Sequence, residues 1–291
     1  MTKEDLTKRL GNGTLILDGA TGSNLMKAGM PKGICTEQWV AEHPDAIMEL
    51  QKAYAEAGSD IVYAPTFMAN PLSLATHGLA AETERLNHTL VGLSRKAVGD
   101  QVLVAGDLTT TGKLMEPLGP MKYEDLYESY KKQISCLADA GVDLLVAETM
   151  LASNETLVIL DAAQSVCDLP VFCTLTMEAD GSLFFGGNIF DAVEELEAMG
   201  AFAVGCNCST GPDQLESVIA GIRQRVSIPV IAKPNAGMPT ISPETGEAVY
   251  SMEPEEFAKS MLKLKAAGAS ILGGCCGTTP EFIRELKKAL N

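Results

Sequence analysis

Four of the eight cysteines in this 291-residue sequence fall in two short patterns that could do chemistry. One is GCNCS, with Cys206 and Cys208; the other is GGCCGTTP, with Cys275 and Cys276 side by side. Thiols grouped in this way serve as metal ligands, as a redox pair or as small buried hydrophobes. On an extended strand successive side chains point to opposite faces, so Cys275 and Cys276 reach one atom only if the backbone breaks. Gly273 and Gly274, just ahead of them, can take conformations closed to other residues and would supply that break. A third thiolate from GCNCS would then fill three corners of a tetrahedron and leave one open, the arrangement of a catalytic rather than a structural zinc site. Alternation puts Cys206 and Cys208 on the same face, so spacing alone leaves the choice between them open.

Convergence of these residues requires a frame. Eight short apolar runs alternate with amphipathic stretches, the pattern of parallel strands joined by crossover helices. The strands read TLILDGA from Thr14, DIVYAPTF from Asp60, QVLVAGDL from Gln101 and DLLVAET from Asp143. They continue with PVFCTLTM from Pro170, AFAVGCNCS from Ala201, PVIAKPN from Pro229 and SILGGCCG from Ser270. The phrases EAGSDIV, DAGVDLL, AMGAFAV and AAGASIL repeat one joint, a helix stopped at a glycine that opens the next strand. With no linker and no shift in composition, residues 1–291 are expected to form one domain, a single (β/α)8 barrel preceded by a lead-in over 1–13. An open doubly wound sheet is the alternative. Barrel enzymes place their active sites at the C-terminal ends of the strands. Here those ends carry Asp18, Thr66, Asp107, Glu148, Thr176 and Glu178, then Cys206 to Cys208, Asn235, and Cys275 with Cys276.

Composition narrows the partners. A formal net charge of −16 argues against nucleic acid and against anionic membrane surfaces. The first residues, MTKEDLTKRLGNG, have no apolar stretch of the signal-peptide kind, and no later run is long enough to span a bilayer. The expectation is a cytoplasmic protein, where eight cysteines do not imply disulfides. Cys136 and Cys167 lie in helical patterns and Cys173 in an apolar run, which suits small buried hydrophobes; Cys35 is undetermined. None of His43, His77 and His88 falls on a strand end.

Among the strand-end residues, Asp18 and Glu148 are placed to hold an ammonium group. The turn GATGS, with Gly19, Ala20 and Thr21, can offer backbone N–H groups to a carboxylate. Lys233 ends the seventh strand, where a Schiff-base lysine can sit; an ion-pairing role is expected instead.

In order along the chain, LDGATGSNL, AYAEAGSDIVYAPTFMAN, TGKLMEPLG, AETM, GCNCSTGP, KPNAGMP and GGCCGTTPE resemble the homocysteine S-methyltransferase family. The similarity is closest to the homocysteine-binding module of cobalamin-dependent methionine synthase and runs from about Leu15 to the last helix. The resemblance implies zinc held by Cys208, Cys275 and Cys276, with Cys206 outside the ligand set. It also implies homocysteine as substrate, bound through Asp18 and Glu148. Asn235 would lend its carbonyl oxygen to the metal when homocysteine is absent. Because no corrinoid or folate module follows the eighth helix, the expected methyl donor is a methylcorrinoid on a separate protein. A small donor such as S-methylmethionine or a methylated amine is the alternative. A Lys233 aldolase and a non-catalytic zinc or thiol-redox module are the rivals from other classes. One departure stands out: these modules commonly read a Gly-Pro-Thr-Gly-like turn where this chain has TTTG over 109–112, which bears on the rim near the donor rather than on the metal.

Overall fold

A computed structural model describes residues 1–178, 180–242 and 248–291. Seven strands follow one another from the N-terminus: β1 (Leu15–Ile16), β2 (Ile61–Tyr63), β3 (Leu103–Thr109), β4 (Leu144–Met150), β5 (Val171–Leu175), β6 (Ala203–Cys208) and β7 (Val230–Pro234). A small exposed hairpin, β8 (Thr240–Ile241) with β9 (Ala248–Val249), precedes β10 (Ile271–Leu272). Strands β1 to β7 and β10 form one parallel sheet in the order β1-β10-β7-β6-β5-β4-β3-β2. A parallel bridge between Leu17 and Ile61 joins the two ends, so the sheet closes on itself as the expected (β/α)8 barrel. Asp60 sews that seam: its N–H donates to the Ile16 carbonyl at 2.7 Å, and its carboxylate accepts the Ile16 N–H at 2.8 Å.

The strand runs read as continuous apolar segments because both faces are buried. Leu103, Ala105, Leu144, Val146, Phe172, Ala203, Ile231 and Ile271 pack inside the barrel. Their alternates Val104, Leu145, Ala147, Cys173, Val204, Val230 and Leu272 pack in the larger cluster they share with the helices. The lead-in is itself a helix, Lys3–Gly11, whose fully buried Leu6 joins the inner cluster. Burying a side chain of this size contributes about 1.5–3 kcal/mol, which fixes the helix to the barrel.

Between strands, helix ends follow the sequence punctuation. Helix Pro44–Ala57 begins with proline in its first turn and ends at Gly58, whose φ of 107° is left-handed. Its Tyr54 is fully buried and donates to the Ala20 carbonyl at 2.9 Å, so a helix outside the barrel steadies the turn after β1. The hairpin β8–β9, on the excursion after β7, has no counterpart in the sequence reading. No helix among the described residues is long and apolar enough to cross a membrane.

Candidate active site at the barrel mouth

At the C-terminal end of the barrel the sulfurs of Cys208, Cys275 and Cys276 lie within 4.8 Å of one another, with Cys208 Sγ 3.8 Å from Cys276 Sγ. The backbone achieves this differently from the sequence expectation. Gly273 and Gly274 are not left-handed. They are needed for close approach: a Cβ on Gly273 would come within 2.7 Å of Leu17 Cβ, and one on Gly274 within 2.5 Å of Thr278 Oγ1. The break comes after the cysteines. The Thr278 N–H and hydroxyl both donate to the Cys275 carbonyl, at 3.1 and 2.7 Å, closing a turn whose third residue is the left-handed Gly277, φ 83°. Both thiols thus sit on one tight turn.

The third thiol needs a stronger device. On β6 the inward positions are Ala203, Gly205 and Asn207, while Cys206 faces the outer cluster, fully buried, its thiol pushed up to about 12 by burial. Strict alternation would send Cys208 outward as well. Cys208 and Ser209 both adopt left-handed backbone, φ 57° and 59°, which side chains other than glycine seldom accept. Each such residue costs on the order of 1–3 kcal/mol. Ser209 Oγ offsets part of this by accepting the Met177 N–H at 3.0 Å and donating to the Asn207 carbonyl at 3.2 Å. The outcome is that Cys208, and not Cys206, joins the pair on the last strand. Three sulfurs converging on one point, with Cys208 and Cys276 half-buried, are a donor set that fits zinc. Hydrogen bonds from Cys208 and Cys275 draw the Cys276 thiol well below the ordinary thiol range.

Beside the sulfurs lies a buried charge cluster. Lys233, 3% exposed, places its ammonium 3.0 Å from Glu148 Oε1, 3.8 Å from Asp18 Oδ1 and 4.9 Å from the centre of the Tyr63 ring. Burial alone would lower its pKa, but Glu148 and Asp18 outweigh burial and hold it well above the ordinary lysine range. It is therefore a charged ion-pair partner, as expected, and not the free amine that Schiff-base chemistry needs. Asp18 is held further by the Tyr63 N–H at 2.8 Å; burial raises it to about 7 in spite of Lys233. Burial also raises Glu148. Asp107, inward on β3 after Leu103 and Ala105, was read only as a strand end. It is buried, its Oδ1 has no hydrogen-bond partner, and burial with the like charge of Glu148 pushes it well above the carboxylate range. Lys233 ion-pairs with Glu148 and Asp18 and acts on Asp107 only as a nearby charge, so carboxylates outnumber the ammonium three to one.

Both clusters open into one cavity of about 360 Å³, lined also by Gly19, Ala20, Thr21, Tyr63, Phe67 and Met68. Ala20 contributes less than the sequence suggested, since its N–H is already given to Thr278 Oγ1 at 3.1 Å. Asn235 is buried with Oδ1 lacking a hydrogen-bond partner, but it does not line the cavity. A larger concavity, about 760 Å³, opens instead beside the lead-in helix near Met1 and Cys167 and gathers no comparable cluster. The TTTG departure is firmly braced: buried Glu155 accepts from the hydroxyls of Thr110, Thr111 and Tyr130 and from the Thr111 N–H.

The mouth of a closed β/α barrel, joining three metal-ready thiols to an acidic pocket, is where barrel enzymes carry their active sites. The chain belongs to the homocysteine S-methyltransferase family, whose profile matches residues 15–290. It is 29% identical to methionine synthase of Mycobacterium leprae over 98% of this chain but 25% of that protein. The same identity and coverage hold for methionine synthase of Mycobacterium tuberculosis. The chain therefore spans about a quarter of the length of these curated relatives. Among solved structures, the metallated form of the homocysteine methyltransferase MmuM from Escherichia coli superposes with a TM-score of 0.78 at 24% identity, covering 95% of this chain and 96% of that one. Its oxidized form gives the same TM-score and identity over 94% and 95%.

Proposed function

We propose that this chain moves a methyl group onto the thiol of homocysteine to give methionine. The observation that carries this reading is the single cavity shared by the sulfurs of Cys208, Cys275 and Cys276 and the carboxylates of Asp18, Asp107 and Glu148. The acidic cluster, with three carboxylates to one ammonium, takes the substrate ammonium, and the backbone of residues 19–21 faces its carboxylate. Cys208, Cys275 and Cys276 hold zinc, with Asn235 as the further oxygen donor when homocysteine is absent. Bound there, zinc would lower the pKa of the substrate thiol from roughly 8.5 while its thiolate ligands keep that sulfur electron-rich. In the transfer the donor's bond to the methyl carbon breaks with its electron pair leaving on the donor, a sulfur lone pair forms the sulfur–carbon bond, and the thiol proton passes to solvent.

For the donor we favour a methylcorrinoid carried by a separate protein. The exposed large apolar side chains are Met26, Ile34, Met68, Leu114, Leu118, Tyr123, Phe184, Met238, Ile241 and Val249. All of them lie on segments that follow strand C-terminal ends, and Met68 lines the cavity itself. An apolar rim of this kind suits a macromolecular carrier. The test is methionine production from homocysteine with a panel of donors: methylcobalamin, a methylated corrinoid protein, S-methylmethionine and a methylated amine. Turnover with the corrinoids supports the whole reading. Turnover with S-methylmethionine alone replaces the donor, and no turnover with any donor in zinc-loaded protein rejects the activity.

A further inference from the structure

Asn207 lies between the two halves of the site, on an inward position of β6, and is 1% exposed. Its side-chain Oδ1 accepts the Thr149 N–H at 2.9 Å. Its Nδ2 donates to Thr149 Oγ1 at 2.7 Å and to Cys275 Sγ at 3.7 Å. The amide orientation follows from chemistry, because a flipped side chain would set its NH2 against the Thr149 N–H. Thr149 is the residue directly after Glu148. It is left-handed, φ 57°, at the point where the pairing of β4 with β5 slips register between Ala147 and Met150. The slip frees the Thr149 N–H from the strand ladder, and Asn207 satisfies it. One buried amide therefore fixes the backbone that aims Glu148 and also donates to a sulfur of the triad.

We propose that Asn207 is a positioning residue that couples the ammonium pocket to the sulfur centre. Through Thr149 it holds the Glu148 carboxylate in place beside Lys233. Through its N–H group it withdraws charge from Cys275, as donors beside metal-ligand atoms do. Neither role involves contact with the reacting atoms. The inference rests on the functional reading above, and its two arms can be read apart from turnover.

The test uses the full chain loaded with cobalt(II), whose thiolate charge-transfer bands report sulfur donation, and calorimetric titration with homocysteine. In Asn207→Ala the cobalt content is expected to match the unaltered protein, while the charge-transfer band moves to lower energy because an N–H donor is lost. Homocysteine affinity is expected to fall about tenfold, the scale of one buried hydrogen-bond partner lost. Combined with Glu148→Gln, the losses should be less than additive, since Asn207 acts through Glu148. Asn207→Asp keeps the volume and the acceptor for the Thr149 N–H, and replaces the donor to Cys275 and Thr149 Oγ1 by a carboxylate oxygen to which the Thr149 hydroxyl can donate instead. It should therefore shift the band yet keep most of the affinity, and it serves as the second variant should the alanine protein fail to fold. An unmoved band in both variants, or fully additive affinity losses, would overturn the coupling. If the unaltered protein binds cobalt but forms no methionine, the functional reading fails while the band shift still judges the hydrogen bond to Cys275.

Discussion

The sulfur triad and the carboxylate–lysine cluster share one cavity but are held there by opposite means. The triad is assembled by backbone. Two left-handed residues at the end of β6, Cys208 and Ser209, and a glycine turn after β10 bring together thiols that regular strands would keep apart. The charge cluster needs no such distortion on β3 or β7, because Asp107 and Lys233 are simply the inward residues at the upper ends of their strands. Its cost is electrostatic: Asp18, Asp107 and Glu148 are buried with one lysine among them. A site can thus store its readiness as conformational strain or as unbalanced charge; the sulfurs rely on the first, and the carboxylates rely on the second with strain only at Thr149 beside Glu148.

The largest expected effect separates the two. Single replacement of Cys208, Cys275 or Cys276 by serine should lower zinc from about one ion per chain to near zero and abolish methyl transfer, since the three thiolates are all the sulfur ligands of the proposed zinc site. Cys206→Ser should keep its zinc, because that thiol packs in the outer core. Metal analysis of the purified variants checks both. A Cys208→Ser protein with full zinc would place the strand-six ligand elsewhere.

A smaller effect belongs to the charge cluster. Glu148→Gln removes the carboxylate nearest Lys233 and leaves that ammonium facing the substrate's own. Homocysteine affinity should drop about 10–100-fold, roughly 1.4–2.7 kcal/mol, with zinc content unchanged. Calorimetry with zinc-loaded protein measures it. Unchanged affinity would take Glu148 out of the ammonium pocket.

The same contrast explains how much was legible in the sequence. Eight strands, their order and their chemistry-bearing ends were readable, because continuous apolar runs and helix-ending glycines repeat in a fixed pattern. The sulfur triad was readable from residue type, though the choice of Cys208 over Cys206 came from family resemblance and not from spacing. Nothing in the letters announces that a cysteine and a serine will turn left-handed, whereas Gly273 and Gly274, which looked like the break, turn out to make room for Leu17 and Thr278. Asn207 was within reach, since Ala203, Gly205 and Asn207 share the inward parity of β6. Its partners were not, because Thr149 and Cys275 lie far along the chain on other strands. Lys233 was read correctly as an ion-pairing residue, but its partners are the very carboxylates assigned to the substrate. Partnering across a barrel mouth depends on closure, which sequence separation does not encode.

The smallest expected effect is on stability and isolates the unbalanced charge. Burial raises the folded-state pKa of Asp107 above its unfolded value near 3.9, so the folded protein binds that proton more tightly than the unfolded chain does. Stability from this group is full below the unfolded pKa and is lost as pH climbs toward the folded pKa, by up to about 1.4 kcal/mol per pH unit. Asp18, raised to about 7, adds a loss of the same sign between roughly pH 4 and 7. Asp107→Asn removes one ionisation and keeps the shape. Its urea unfolding free energy should therefore fall less steeply than that of the unaltered protein as pH rises from the unfolded carboxylate pKa near 3.9, and should exceed it at the upper end of the titration. Saturating homocysteine should narrow the gap, because a bound ammonium supplies the charge the cluster lacks and stabilises the ionised Asp107 that the variant no longer has. Parallel pH profiles for the two proteins would mean that Asp107 is already balanced within the fold, and the acidic pocket would then offer the substrate no surplus of charge.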